Sequence, residues 1–187
     1  MDKHLTESLI TSELVYDGSF IKLHRDEVRL PDGTQAIREY FRHPGAVVII
    51  PLFNGGRVVM VRQFRYPNDR VFIEFPAGKL DDGEDPLLCA QRELREETGY
   101  SAKQWHYVCT IHNAIAYSDE HLDIYLAQDL SEGEQELDNG EFLDVFTAPT
   151  TEVLEWVRTG KISDVKTIIG AFWLEKIQRG EWTPPQR

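Results

Sequence analysis

"GKLDDGEDPLLCAQRELREETGY" (residues 78–100) decides how this chain folds, because it contains a helix together with both of its boundary signals. Asp85 suits the N-cap, Pro86 the first helical position and Gly99 the left-handed residue after the last turn, so the spacing predicts a helix over 86–98. Leu87, Ala90 and Leu94 recur at helical spacing and are expected to face the core. Glu93, Glu96 and Glu97, beside Arg92 and Arg95, are expected to project from one face roughly opposite the leucines. Like charges at such spacing cost an isolated helix about 0.2–0.5 kcal/mol per pair, so something must offset the repulsion. One offset is a solvated face on which Arg92 sits four residues before Glu96. The other is a cluster of hard divalent cations, which take oxygen ligands and leave coordination positions open to phosphate.

On either side of this helix the chain reads as strands and further helices. Residues 14–43 alternate, with "SFIKLHRDEVRL" and "AIREYFRH" forming a hairpin about the "PDGTQ" turn. "GAVVIIPLF" (45–53) is a nearly unbroken apolar run, the pattern of a strand covered on both faces, and "RVVMVRQFR" (57–65) is a second. "VFIEFPAG" predicts a third strand ending at Pro76 and Gly78. After the helix, "WHYVCTIHN", "HLDIYLAQ" and "EFLDVFTAP" predict strands, and "TTEVLEWVRTGKI" and "SDVKTIIGAFWLEKIQRGE" predict two amphipathic helices. Strands mixed with helices, several buried on both sides, give an α/β layered domain.

The 187 residues suffice for one full core with a modest appendage, and neither a repeat nor a low-complexity tract interrupts them. A formal charge of −12 argues against nucleic acid or anionic lipid as partner, both of which call for an excess of Lys and Arg. It leaves room for a small phosphorylated substrate whose charge is bridged by cations. The two cysteines, Cys89 and Cys109, stand at no metal-ligand spacing, which fits a reducing, cytoplasmic setting. The start "MDKHLTESLI" has no basic and apolar leader pattern, and no stretch is long and apolar enough to span a bilayer, so neither export nor membrane insertion is expected.

The opening stretch resembles the Nudix hydrolase signature, G-x(5)-E-x(7)-R-E-U-x-E-E-x-G-U, with U a bulky aliphatic residue. Gly78, Glu84, Arg92, Glu93, Leu94, Glu96, Glu97 and Gly99 match at every spacing, and Tyr100 alone departs, at the last position. The fold this resemblance implies is the Nudix α/β/α sandwich with a mixed sheet, residues 46–187, preceded by an antiparallel β extension, residues 1–45, that pairs two subunits. It also implies that Glu93, Glu96, Glu97 and the Ala77 carbonyl hold Mg²⁺ or Mn²⁺, and that Glu84 and Arg92 pair to fix the loop against the helix.

"PGAVVIIPLFNGGRVVMVRQFRYP" and "FIEFPAGKLDDGE" are similar to the ADP-ribose pyrophosphatase branch of that family. The implied reaction is metal-dependent hydrolysis of a nucleotide sugar, ADP-ribose giving AMP and ribose 5-phosphate. The base is expected to be Glu141, in "LDNGEFLDVF", with Glu120, in "AYSDEHLD", as its rival. Arg65 is a candidate contact for the diphosphate. Arg38 and Phe20 are candidates to sandwich the adenine across a homodimer, although a core position suits Phe20 as well. Glu74, two residues before Pro76, stands where the family places a carboxylate beside the metals, and Glu39 is a candidate substrate contact, while a plain strand-surface charge is the alternative for each. Where the branch carries a proline-containing loop, this chain reads "IHNAIAYSDE", so GDP-mannose or another nucleotide sugar is an alternative substrate. A silent nucleotide-sugar-binding module and a nucleoside triphosphatase are the remaining alternatives. Trp105, Trp156, Trp173 and Trp182 are expected to be packing residues, and His112 and Cys109 strand residues at core or rim.

Overall fold

A computed structural model describes residues 2–185. The chain divides into two compact units: residues up to Pro44 with His112–His121, and Gly45–Ile111 with the chain from Leu122 onward.

The first unit carries an antiparallel sheet of three strands in sequence order, β1 (Ser8–Asp17), β2 (Lys22–Arg29) and β3 (Gln35–Phe41). The expected hairpin is therefore the second half of a three-stranded meander. Strand β1 escapes an apolar-run reading because every one of its residues is exposed, so no burial pattern marks it. The turn after β2 is closed by Asp32, whose carboxylate accepts from both the amide and the hydroxyl of Thr34.

The second unit begins with β4 (Ala46–Pro51), all six residues of which are buried, and β5 (Arg57–Arg65). A short 3₁₀ turn, Tyr66–Asn68, leads to β6 (Arg70–Glu74) and β7 (Ala77–Lys79). The predicted third strand is thus two strands, broken at Phe75–Pro76, and Gly78 lies within the second of them. Helix α1 (Pro86–Thr98) follows, then β8 (Tyr100–Ile111), β9 (Leu122–Glu132), β10 (Leu143–Pro149), α2 (Thr150–Arg158) and α3 (Val165–Gln178).

Two sheets result, one in the order β7-β4-β9-β8 and one in the order β10-β5-β6. The first is mixed, since β4 and β9 run parallel and the other pairs antiparallel. Alternation along β4 explains its burial on both faces. Val47 and Ile49 meet Cys89, Ala90 and Leu94 of α1, whereas Val48 and Ile50 join Val58, Met60, Ile124 and Leu174 in the larger core, against which α2 and α3 pack. This is a layered α/β/α sandwich, with α1 on one side of the mixed sheet and α2 and α3 on the larger core.

Helix α1 has the predicted boundaries. The Asp85 carboxylate accepts from the amides of Leu87 and Leu88, and Gly99 sits at φ 75° with its amide donating to the Arg95 carbonyl. Glycine is required at position 99 for a second reason: a Cβ there would lie 2.9 Å from the Gly133 carbonyl oxygen. Through that close approach the segment after β9 docks on the end of α1, with the Gly133 amide donating to the Gly99 carbonyl at 2.8 Å and Glu136 to that of Glu96 at 3.1 Å.

Among the tryptophans, Trp156 and Trp173 pack on the larger core and Trp105 on the smaller, while Trp182 is half exposed with its ring 4.2 Å from that of Trp173. Cys109 packs at the edge of the larger core, and His112 is exposed. No helix among the described residues is long and apolar enough to cross a membrane.

Candidate active site

The acidic residues of α1 do not share one wet face. Glu97 lies seven residues after Ala90 and three after Leu94, which turns it inward, and it is only 3% exposed. The expectation that all three glutamates point away from the leucines is corrected at this position. The Glu97 carboxylate accepts from the Ala77 amide on β7 at 3.1 Å, and its own backbone carbonyl accepts from the Gln135 side chain at 2.6 Å.

Burial, then the charges of Glu93 and Glu141, push the Glu97 pKa well above the ordinary carboxylate range. Burial also raises that of Glu93, with Arg92 opposing and the charges of Glu96 and Glu141 reinforcing the shift. The loop carrying Glu141 therefore contributes a fourth carboxylate to the same locus, and the Gln63 amide reaches the Glu141 carboxylate at 3.4 Å.

Arg92 links the carboxylates. Its Nε and Nη2 donate to the two oxygens of Glu84 at 2.9 and 2.8 Å, a bidentate fork that pins the loop between β7 and α1 to the helix. That guanidinium holds the Glu84 carboxyl down to about 2. Its Nη1 donates to Glu93 at 2.7 Å and to Glu96 at 3.1 Å. With Glu93 and Glu96 drawn to Arg92, no three acidic, histidine or cysteine side chains among the described residues already converge around one point suited to an ion.

The donors nevertheless fit a hard divalent cation. Carboxylate oxygens from Glu93, Glu96 and Glu97 and the Ala77 carbonyl make an oxygen-only set. Gly78 leaves open a space that any side chain would fill, since a Cβ there would lie 1.8 Å from the Glu93 carboxyl carbon.

An ion cluster centred on the buried Glu74 borders this locus, with Arg65 close enough to feel the charge of Glu97. Arg65 donates from Nε and Nη2 to the two oxygens of Glu74, both at 2.8 Å, and Lys166 at the start of α3 donates to the same carboxylate. Glu74 is 2% exposed, so its reading as a strand-surface charge is corrected. Burial pushes its pKa up, but the two cations prevail and hold it below the usual range. Lys166 was not among the expected site residues. Its signal in the sequence is a cation in the first turn of a helix, where the macrodipole disfavours positive charge.

The Nudix domain profile matches residues 42–167, two thirds of the chain. The chain belongs to the Nudix family. The nucleoside diphosphate sugar hydrolase N-terminal domain matches residues 7–41 ahead of it. This Nudix chain is 39% identical to the methanol dehydrogenase activator of Bacillus methanolicus, over 94% of its own length and 96% of that protein's. It is 38% identical to the ADP-ribose pyrophosphatase of Bacillus subtilis, over 92% and 95% respectively. A solved ADP compounds hydrolase superposes with a TM-score of 0.85 over 95% of this chain and 97% of that one, at 21% identity. The chain is a Nudix pyrophosphohydrolase, an enzyme class that works with a divalent metal.

The other expected site residues of this Nudix chain lie in the first unit. Glu120 is 3.7 Å from His43 and accepts from the Asn113 amide at 3.3 Å. Arg38 pairs with Glu7 across the sheet, and Glu39 is exposed, 4.0 Å from Arg25. Phe20 is 63% exposed with an edge contact to His43, which corrects its reading as a core residue. In the second unit, a cavity of about 800 Å³ lined by Trp105, Tyr107, Tyr125 and Pro184 takes in none of the four glutamates at 93, 96, 97 and 141.

Proposed function

We propose that the protein hydrolyses the pyrophosphate bond of ADP-ribose or a closely related nucleoside diphosphate sugar, giving AMP and ribose 5-phosphate, with Mg²⁺ as the working ion and Mn²⁺ as its substitute. The observation that carries this reading is Glu97, a buried carboxylate held against the Ala77 amide and repelled by Glu93 and Glu141. Such a placement costs stability in a protein that does not use it, and it gains purpose when a doubly charged ion and a pyrophosphate share the site.

In this reading Glu93, Glu96, Glu97 and the Ala77 carbonyl hold the ion. Bound there, it supplies neutralisation of phosphate charge and activation of a water. Arg92 and Glu84 hold the loop that presents those ligands. Arg65 is fixed by its fork to Glu74 through Nε and Nη2, which directs its Nη1 amine to a diphosphate oxygen. Glu141 takes the proton from the attacking water as the new oxygen–phosphorus bond forms and the bridging bond breaks, the leaving phosphate carrying the electron pair.

Arg38 and Phe20 stack on the adenine, and Glu39 stands near that pocket. The first unit pairs two copies of the chain into a homodimer, a reading supported by Leu9, Leu14 and Tyr16, all exposed along β1. The free thiols of Cys89 and Cys109 support a cytoplasmic setting.

The test is a panel of ADP-ribose, GDP-mannose, other nucleotide sugars and dinucleotides incubated with Mg²⁺ and resolved by chromatography. Preferential release of AMP and ribose 5-phosphate from ADP-ribose is expected. Preferential release of GMP from GDP-mannose would replace the substrate, and no turnover of any member would overturn the reading.

A further inference from the structure

Lys166 occupies an expensive position. It is buried, it stands in the first turn of α3, and its neighbour Asp164, 3.0 Å away, is already used as the helix N-cap, accepting from the Thr167 amide. Its other partner, Glu74, is the carboxylate that holds Arg65. We infer that the opening turn of α3, through Lys166 and Thr167, is a positioning clamp for residues 74–77 and thereby for Arg65, Ala77 and Glu97. The inference rests on the metal-dependent reading above and adds residues outside the signature helix to it.

Each of residues 74–77, which carry the chain from the end of β6 into β7, is tied to a neighbouring element. Glu74 is held by Lys166. The Phe75 amide donates to the Thr167 hydroxyl at 3.1 Å, and that hydroxyl donates to Asp164 at 2.6 Å. The Phe75 ring is fully buried against Gly170, where an added Cβ would lie 3.0 Å away. The Pro76 carbonyl accepts from the Ile49 amide at 2.8 Å, and the Ala77 amide donates to Glu97 at 3.1 Å. Consecutive residues of α3 thus grip consecutive residues of a four-residue connection that ends on a metal-ligand candidate. With no slack along the connection, loss of either grip displaces Ala77 against Glu97. Loss of Lys166 also leaves Glu74 to Arg65 alone and frees the fork to swing.

The variants are Lys166→Met, which keeps length and removes charge, Lys166→Arg, which keeps charge, and Thr167→Val, which removes only the hydroxyl. Mn²⁺ affinity is read from the free-ion EPR signal of folded protein, alongside kcat and KM for ADP-ribose. Lys166→Met and Thr167→Val are each expected to weaken Mn²⁺ binding by about tenfold or more, the scale typical of residues that orient metal ligands. Lys166→Met is expected also to raise KM, and Lys166→Arg to restore part of both losses. Should Lys166→Met not fold, Thr167→Val decides on Mn²⁺ affinity alone. Unchanged Mn²⁺ affinity and kinetics in folded variants would overturn the clamp, while the metal reading would stand provided Glu97→Gln abolishes Mn²⁺ binding. Wild-type affinity in Glu97→Gln would overturn the metal reading and the clamp together.

Discussion

A side-chain carbon added at Gly78 would lie 1.8 Å from the carboxyl carbon of Glu93, so the first residue of the signature leaves space for that carboxylate rather than for a turn. The backbone at Gly78 is not in the left-handed region, and the obstacle is the far end of a flexible side chain. Gly78→Ala is therefore expected to fold with a stability within about 1 kcal/mol of wild type, because Glu93 can swing away. The same swing takes a ligand from the cluster, and kcat should fall by at least about a hundredfold. A melting curve measured beside steady-state turnover checks the separation, and a large loss of stability with normal turnover would contradict it.

The Glu84–Arg92 fork predicts a pH dependence. A carboxylate whose folded pKa is depressed contributes stability above its unfolded value, near 4.5, and loses it as the pH falls toward the folded value, here about 2. Glu84→Gln should lower the urea midpoint at neutral pH, and its deficit relative to wild type should shrink between about pH 5 and pH 3. A deficit independent of pH would mean that packing rather than charge ties the loop to α1.

The general base is decided by comparing Glu141→Gln with Glu120→Gln. Glu141 shares the electrostatic locus of Glu93 and Glu97 and receives the Gln63 amide. Its replacement is expected to lower kcat by about 10²–10⁴ with KM little changed. Glu120 is engaged by His43 and Asn113 in the first unit, and its replacement should cost less than about tenfold. Reversed magnitudes in single-turnover measurements would transfer the role.

The parts of this fold that are legible in the sequence are those whose signals are local. Asp85, Pro86 and Gly99 mark α1 because caps are satisfied by residues one to three positions away. The apolar run of β4 announces burial on both faces because a strand shows one face at every second residue. Strand β1 carries no such mark, since its ten residues are all exposed and its pairing with β2 is set by backbone bonds rather than by burial. The candidate site divides in the same way. The carboxylates of α1 follow from spacing, but the inward turn of Glu97 depends on which face of α1 meets β4 and β7, and the role of Glu74 depends on Lys166, 92 residues further along. Contacts at that separation leave in the sequence only an unfavourable choice, here a lysine at a helix N-terminus.

Burial, Glu93 and Glu141 raise the Glu97 pKa, so the metal-free protein should lose stability as the pH rises from about 4.5 through that raised value, and a bound divalent ion should restore it. The most direct measurement is the thermal unfolding midpoint at about pH 8, in Mg²⁺ and in chelator, for wild type and Glu97→Gln. Mg²⁺ is expected to raise the wild-type midpoint by several degrees, and Glu97→Gln to be at least as stable as wild type in chelator and to respond barely to the ion. A wild-type midpoint indifferent to Mg²⁺, or an equal rise in Glu97→Gln, would contradict the metal reading.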